Sequence, residues 1–203
     1  MKLVILDRDG TLNQWSEQGF IGHPDAWVAV PGALEAVASL NRAGWHVVVA
    51  TNQPGLGRGL FDVIELNAVH AKMHKELAVA GARVEAVFYC PHAPDEDCSC
   101  RKPAPALFEQ IAERYGAEGD EIWAIGSGVD HLQAAATLGA NLLFVGLTEQ
   151  KEHPSLLQLP PNTVCYADLH AAAQVVMAAE QAKKLARAAL QAQAAAVAPG
   201  PDA

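Results

Sequence analysis

The chain is short of several things. Only 6% of its 203 residues are aromatic, four are cysteine, and Lys and Arg together number 14 against 23 Asp and Glu. The formal charge of -9 that results gives little attraction for nucleic acid or an anionic membrane, so neither is expected as a partner. No apolar run approaches the roughly 18 residues that a spanning helix needs. The opening MKLVILDRDG meets charged residues too soon for a secretory leader, which points to a cytoplasmic protein. Three of the four cysteines crowd between residues 90 and 100, a spacing that suits a metal site in a reducing compartment better than a disulfide framework.

What remains is an ordinary globular composition. Apolar residues make up 51% and charged residues 18%, enough for one domain with a full core. Apolar, β-prone runs occur at Leu3–Leu6, His46–Ala50, Val84–Tyr89, Ile122–Ile125 and Asn141–Val145, with a short one at Thr163–Tyr166. Helix-patterned stretches near Gly32–Arg42, Asp62–Ala80, Pro103–Tyr115 and Asp130–Leu138 separate most of them. Continuous apolar strands alternating with amphipathic helices predict an α/β domain, a single doubly wound parallel sheet covered on both faces. Residues 1–170 are read as that domain. An Ala-rich helical segment follows over 171–197, and the APGPDA tail (198–203) is expected to be disordered. There is no internal repeat. Ligands of such sheets bind beyond the carboxyl ends of the strands, so the chemistry is sought just after each apolar run.

The first run ends in Asp7-Arg8-Asp9-Gly10-Thr11-Leu12-Asn13. Two carboxylates two residues apart share one small site if the chain turns there, and Gly10 permits the turn. One can attack phosphorus, the other can handle a proton, and both can help to hold Mg²⁺. The second run leads into Thr51-Asn52-Gln53-Pro54-Gly55-Leu56-Gly57-Arg58-Gly59, where a hydroxyl, backbone N–H groups and a guanidinium can cradle an anion. Next come Cys90, His92, Cys98 and Cys100, whose C-x-H…C-x-C spacing can close a tetrahedral, structural Zn²⁺ site. Arg101 and Lys102 follow directly, two cations against Pro103 that suit an anionic substrate. Cys165 lies in an apolar run and is read as a core residue, and His46, His70 and His74 are read as structural.

Taken together these strings resemble the haloacid dehalogenase phosphatases, and TNQxGxxRG with CRKP resembles the D-glycero-D-manno-heptose 1,7-bisphosphate phosphatases and related histidinol phosphatases. The resemblance implies a Rossmann-like domain with a small zinc loop and no large cap. It implies an aspartyl-phosphate on Asp7, with Asp9 as general acid and base. Lys102 would neutralise nucleophile and phosphate, Thr51, Asn52 and Gln53 would bind the phosphoryl group, and Arg58 and Arg101 would contact substrate. Mg²⁺ would be held by Asp7 and by the peptide carbonyl of Asp9. The implied substrate is a small phosphorylated sugar, most closely the heptose bisphosphate of lipopolysaccharide core synthesis, and the implied state is a monomer.

The fourth motif departs from the pattern. Where Gly-Asp-x-x-x-Asp should stand, the chain reads Gly126-Ser127-Gly128-Val129-Asp130-His131, followed by a matching Leu-Gln-Ala-Ala. Ser127 occupies the metal-binding Asp position, and His131 the second Asp position, where it can add positive charge. A neutral hydroxyl is a poor substitute for a carboxylate around a hard dication. Asp130 is the one rescue candidate as a metal ligand. A second departure is Gly146-Leu147-Thr148-Glu149, where relatives often have a more basic loop. Two alternatives therefore stand beside the heptose reading: a catalytically impaired paralogue that binds phosphorylated ligands or a partner, and a histidinol-phosphate phosphatase.

Overall fold

In a computed structural model of the chain, residues 1–146 and 157–197 are described. Residues 147–149 of the last loop, and the tail 198–203, lie outside them. Six parallel strands form one sheet: β1 (Leu3–Leu6), β2 (His46–Asn52), β3 (Val87–Cys90), β4 (Ile122–Gly126), β5 (Asn141–Val145) and β6 (Val164–Tyr166), in the order β3-β2-β1-β4-β5-β6. The helices are α1 (Ala33–Arg42), the single turn α2 (Pro54–Gly57), α3 (Val63–Val79), α4 (Ala106–Tyr115), α5 (Val129–Ala136) and α6 (Leu169–Val197).

Alternation along β1 explains the two layers. Val4 and Leu6 face a core shared with α1, α3 and α6, whereas Leu3 and Ile5 face a core shared with α4 and α5. All four β1 residues are completely buried, which is why this strand reads as an unbroken apolar run. The chain order departs to one side of β1 through β2 and β3, then returns to its other side at β4. Such a switch point opens a crevice at the carboxyl ends of β1 and β4. Leu6 is in register with Val49 and with Ile125, so Asp7 emerges between Ala50 and Gly126.

Several boundaries differ from the sequence reading. α4 begins three residues later than Pro103, with Pro105 as its N-cap, because two prolines within the first turn hold residues 103–105 outside the helix. β3 starts at Val87 instead of Val84, although Glu85 N–H still donates to Val47 O (2.8 Å). α3 keeps its expected length because Asp62 and Glu65 close a reciprocal capping box. α6 starts at Leu169, and its first turns bury Leu169, Ala172, Ala173 and Val176 beside α1. Cys165, read as a core residue, is exposed, because β6 is the sheet's edge. Among the described residues, no helix is long and apolar enough to cross a membrane.

Candidate active site

Asp7 sits in the crevice, 6% exposed, with its backbone N–H donating to Ile125 O (3.0 Å). Its Oδ1 accepts from Arg8 N–H at 2.9 Å and pairs with Lys102 Nζ, also at 2.9 Å. Its Oδ2 has no hydrogen-bond donor among the described residues; His131 Nδ1 lies 3.9 Å from it. Burial raises the Asp7 carboxyl above the usual carboxylate range, despite the opposing pull of the Lys102 ammonium.

Lys102 is brought 50 residues back to β2 by the loop that carries the cysteines. Its backbone N–H donates to Asn52 Oδ1 (3.0 Å), and Asn52 Nδ2 donates to Lys102 O (3.1 Å). The buried ammonium donates to Ala50 O (3.0 Å) and to His131 Nδ1 (3.2 Å) besides Asp7. Asn52 also donates to Asp130 Oδ2 (3.2 Å), so this side chain ties β2, the lysine and α5 together.

The Asp9 carboxylate is held by a cage. The fully buried Arg8 reaches both its oxygens (3.0 and 3.1 Å), Asn13 Nδ2 donates to Oδ1 (2.9 Å), and Gln53 Nε2 donates to Oδ2 (3.0 Å). Gln53 Oε1 in turn accepts from Arg8 (3.1 Å), and its amide donates to Thr51 Oγ1 (2.9 Å). His70 closes the cage from α3, its Nε2 3.1 Å from Arg8 Nη1. Burial and the adjacent guanidinium push the His70 pKa down to about 4. Sequence reasoning missed Arg8, Asn13 and His70 as site residues. The available signal was Arg8 itself, because an arginine directly after an apolar strand has to be paired where it is buried.

Asp9's peptide carbonyl, in contrast, faces the crevice and accepts from Ser127 Oγ (3.4 Å). Ser127 N–H donates to Thr11 Oγ1 (3.1 Å). Ser127 thus stands where the fourth motif was expected to stand. Gly10 at φ 78° makes the turn, and a Cβ there would strike both Ser127 Oγ and the indole of Trp15, an aromatic left 64% exposed at the mouth.

Asp130 lies in the first turn of α5, its Oδ2 accepting from Asn52 Nδ2. The point where a side chain at Gly128 would begin lies 2.6 Å from Asp130 Oδ1 and 3.3 Å from Asp7 Oδ2, so both carboxylates border one small space kept open by glycine. A bare Asp7 oxygen, the Asp9 carbonyl and the Asp130 carboxylate are hard oxygen donors of the kind Mg²⁺ takes, and in this respect the residues present fit that ion. His131 is completely buried, and burial with the neighbouring lysine pushes its pKa well below the ordinary value, so it adds no positive charge.

The loop after β3 gathers Cys90, His92, Cys98 and Cys100, whose ligand atoms all lie within 4.8 Å of one another. Cys90 Sγ is 3.8 Å from Cys98 Sγ and 3.5 Å from His92 Nδ1, separations that a tetrahedral zinc ion spans. Burial, with the neighbouring thiols, pushes the Cys90 thiol up to about 12; a bound zinc ion would instead hold it as thiolate. The loop braces the anion-cradle turn: Gln53 N–H donates to Cys90 O and Gly57 N–H to Pro91 O, each at 2.8 Å. Gly57 lies flush against the loop, where a Cβ would run into Ala93 N. Arg101 is drawn into this loop, its guanidinium donating to Ala93 O, Pro94 O and Glu96 O. Arg58 is exposed at the end of α2, and no side-chain hydrogen bond to it occurs among the described residues.

Comparison with known proteins agrees with this geometry. The family model for haloacid dehalogenase-like hydrolases matches residues 16–139. A D-glycero-beta-D-manno-heptose-1,7-bisphosphate 7-phosphatase of Bordetella bronchiseptica is 46% identical over 87% of this chain and 98% of its own. The corresponding enzyme of Pseudomonas putida is 40% identical over 86% of this chain and 98% of its own. The crystal structure of the Bordetella enzyme complexed with magnesium and phosphate superposes with a TM-score of 0.82, again over 87% and 98% of the two chains. With a strand-switch crevice built around Asp7 and these relatives at full length, the chain belongs to the haloacid dehalogenase-like hydrolases, in the heptose-bisphosphate phosphatase branch.

Proposed function

We propose that the chain is a phosphomonoester hydrolase that removes the C7 phosphate of D-glycero-β-D-manno-heptose 1,7-bisphosphate, a step in making the lipopolysaccharide core precursor. One observation carries this reading: Asp7 is anchored through Oδ1 alone, by Arg8 N–H and Lys102, and presents Oδ2 unbonded at the crevice. A carboxylate fixed at one oxygen and open at the other is positioned both to attack phosphorus and to share a metal ion with it.

In this reaction a carboxylate oxygen of Asp7 bonds to phosphorus while the P–O bond to the sugar breaks. Asp9, swung out of its cage toward the leaving group, gives the departing sugar oxygen its proton. Asp9 then takes a proton from a water whose oxygen attacks phosphorus, releasing phosphate and restoring the Asp7 carboxylate. Lys102 holds its charge beside the attacking carboxylate throughout, and Thr51, Asn52 and Gln53 orient the groups that meet the phosphoryl oxygens. Arg58 serves the outer part of the substrate, while Arg101, its guanidinium held by three loop carbonyls, shapes that border from within the loop. Mg²⁺, present in the Bordetella relative, would offset the repulsion between carboxylate and phosphate, held here by Asp7, the Asp9 carbonyl and Asp130. Cys90, His92, Cys98 and Cys100 would hold a structural zinc ion. We read the protein as a cytoplasmic monomer acting on a small substrate without nucleic acid or membrane.

The test is phosphate release from the heptose bisphosphate and from histidinol phosphate, with Asp7→Asn as control. Turnover of the heptose that Asp7→Asn abolishes is expected; preference for histidinol phosphate would move the protein to the related branch. Ser127, a neutral group beside the Asp9 carbonyl, favours one second reading, a protein that binds the ester with little turnover. A silent wild type that Ser127→Asp revives would establish that reading instead.

A further inference from the structure

Of the four tryptophans, Trp27 and Trp45 are buried and Trp123 is half-buried, whereas Trp15 is 64% exposed. A single exposed apolar side chain is ordinary by itself; this one is set apart by its seat. The chain just before it is tied down, because Gln14 N–H donates to Val28 O and Val30 N–H to Leu12 O, each at 2.8 Å. Its ring rests edge-on against the turn that follows the two aspartates. A Cβ built on Gly10 would strike Trp15 Nε1 and Ser127 Oγ together. The N–H edge of the indole therefore lies inward and meets the Ser127 hydroxyl over one glycine, while the rest of the ring stands in solvent. No acceptor for that N–H occurs among the described residues.

We propose that Trp15 is a specificity-determining residue, the platform on which the sugar of the substrate rests while the phosphoryl group sits at Asp7. An indole face packs on the C–H faces of a sugar ring, and its N–H can donate to a sugar oxygen that has left water. Position selects that half of the substrate. Asp7 and Lys102, 6% and 3% exposed, hold the buried end of the crevice, where the transferred group must go. Trp15 stands outward of them, past the Asp9 carbonyl and Ser127, where the leaving group emerges. A compact ester without a ring would reach Asp7 without touching the indole.

The inference rests on the phosphatase reading, so one arm of its test needs no turnover. With Mg²⁺ present, the two products divide the site: heptose 1-phosphate carries the sugar, and inorganic phosphate is the transferred group. Acrylamide quenching of the emission that Trp15→Phe lacks reports the exposure of Trp15. Saturating heptose 1-phosphate should lower that quenching by about twofold or more, and inorganic phosphate should leave it unchanged. Equal shielding by phosphate, or none by the sugar, overturns the proposal. In the kinetic arm, Trp15→Ala should raise KM for the heptose bisphosphate roughly 10- to 100-fold with kcat within about threefold, because a platform holds ground state and transition state alike. Trp15→Phe, which keeps an aromatic face, should stay within about fivefold of wild type. Hydrolysis of acetyl phosphate, which has no ring, should fall by less than about threefold in Trp15→Ala. Equal losses on both esters, or a lower kcat in step with a lower melting temperature, would show that Trp15 only braces the aspartate turn and overturn it. An inactive wild type whose Trp15 the sugar still shields would refute the phosphatase reading and leave the platform standing.

Discussion

Gly128→Ala isolates what a single open space contributes to metal binding. Gly128 is the N-cap of α5 with φ -102° and ψ 132°, a conformation any residue adopts, so alanine brings no backbone strain. Its methyl would stand 2.6 Å from Asp130 Oδ1, inside contact distance, and 3.3 Å from Asp7 Oδ2. The atom displaced first is the end of a rotatable carboxylate, so the fold survives and Asp130 swings out of the crevice. Stability should hold to within about 1 kcal/mol, because the freedom lost by the unfolded chain is set against alanine's poorer fit at an N-cap. Losing a carboxylate from the shell of a hard dication should weaken it by about 10–100-fold, or roughly 1.4–2.8 kcal/mol. Titration calorimetry with Mg²⁺, or with paramagnetic Mn²⁺ followed by resonance, measures the affinity, and thermal melts check the fold. Ser127→Asp added to Gly128→Ala should restore binding, because it returns a carboxylate beside the Asp9 carbonyl. An unchanged metal affinity in a well-folded Gly128→Ala protein would refute Asp130 as a ligand.

Other expectations concern the cage, the lysine and the zinc loop. Lys102→Met leaves the buried Asp7 carboxylate without its cation and should cost about 3–5 kcal/mol, a fall in melting temperature on the order of 10 °C; a smaller loss would mean that Asp7 takes up a proton instead. His70, with its pKa lowered to about 4, is neutral in the folded protein while the unfolded chain protonates near 6.5. Its contribution is therefore intact above about pH 6.5 and lost as pH falls toward 4, about 3 kcal/mol over that window. Urea unfolding at pH 7 and pH 4.5 should show this drop in wild type and a smaller one in His70→Gln. Zinc removal by chelation, or Cys98→Ser, frees the carbonyls of Cys90 and Pro91 that fix Gln53 and Gly57. Affinity for inorganic phosphate should then fall several-fold, with melting temperature lowered as well. Metal-free protein with full phosphate affinity would uncouple the loop from the crevice.

The order of elements and most of the chemistry were legible in the chain. Unbroken apolar runs such as Leu3–Leu6 mark strands buried on both faces, and DxDGT, TNQ and CRKP follow them where a parallel sheet opens its crevice. The zinc set could be read because C-x-H…C-x-C is local, needing only one loop to close. Boundaries failed where prolines or an open edge intervened, as at α4 and at Cys165. What one sequence cannot state is direction. Asp7 and Asp9 look alike in the string, yet the structure points one into the crevice and cages the other with Arg8, Asn13 and Gln53, because side chains two residues apart part company once the chain turns at Gly10. By residue type, Ser127 and His131 read as losses, and His131 as added charge. Only the fold, by setting the imidazole between an ammonium that must donate and a carbonyl that must accept, makes it a neutral acceptor. Residue identity set the inventory of donors and acceptors, and long-range packing chose which of them meet.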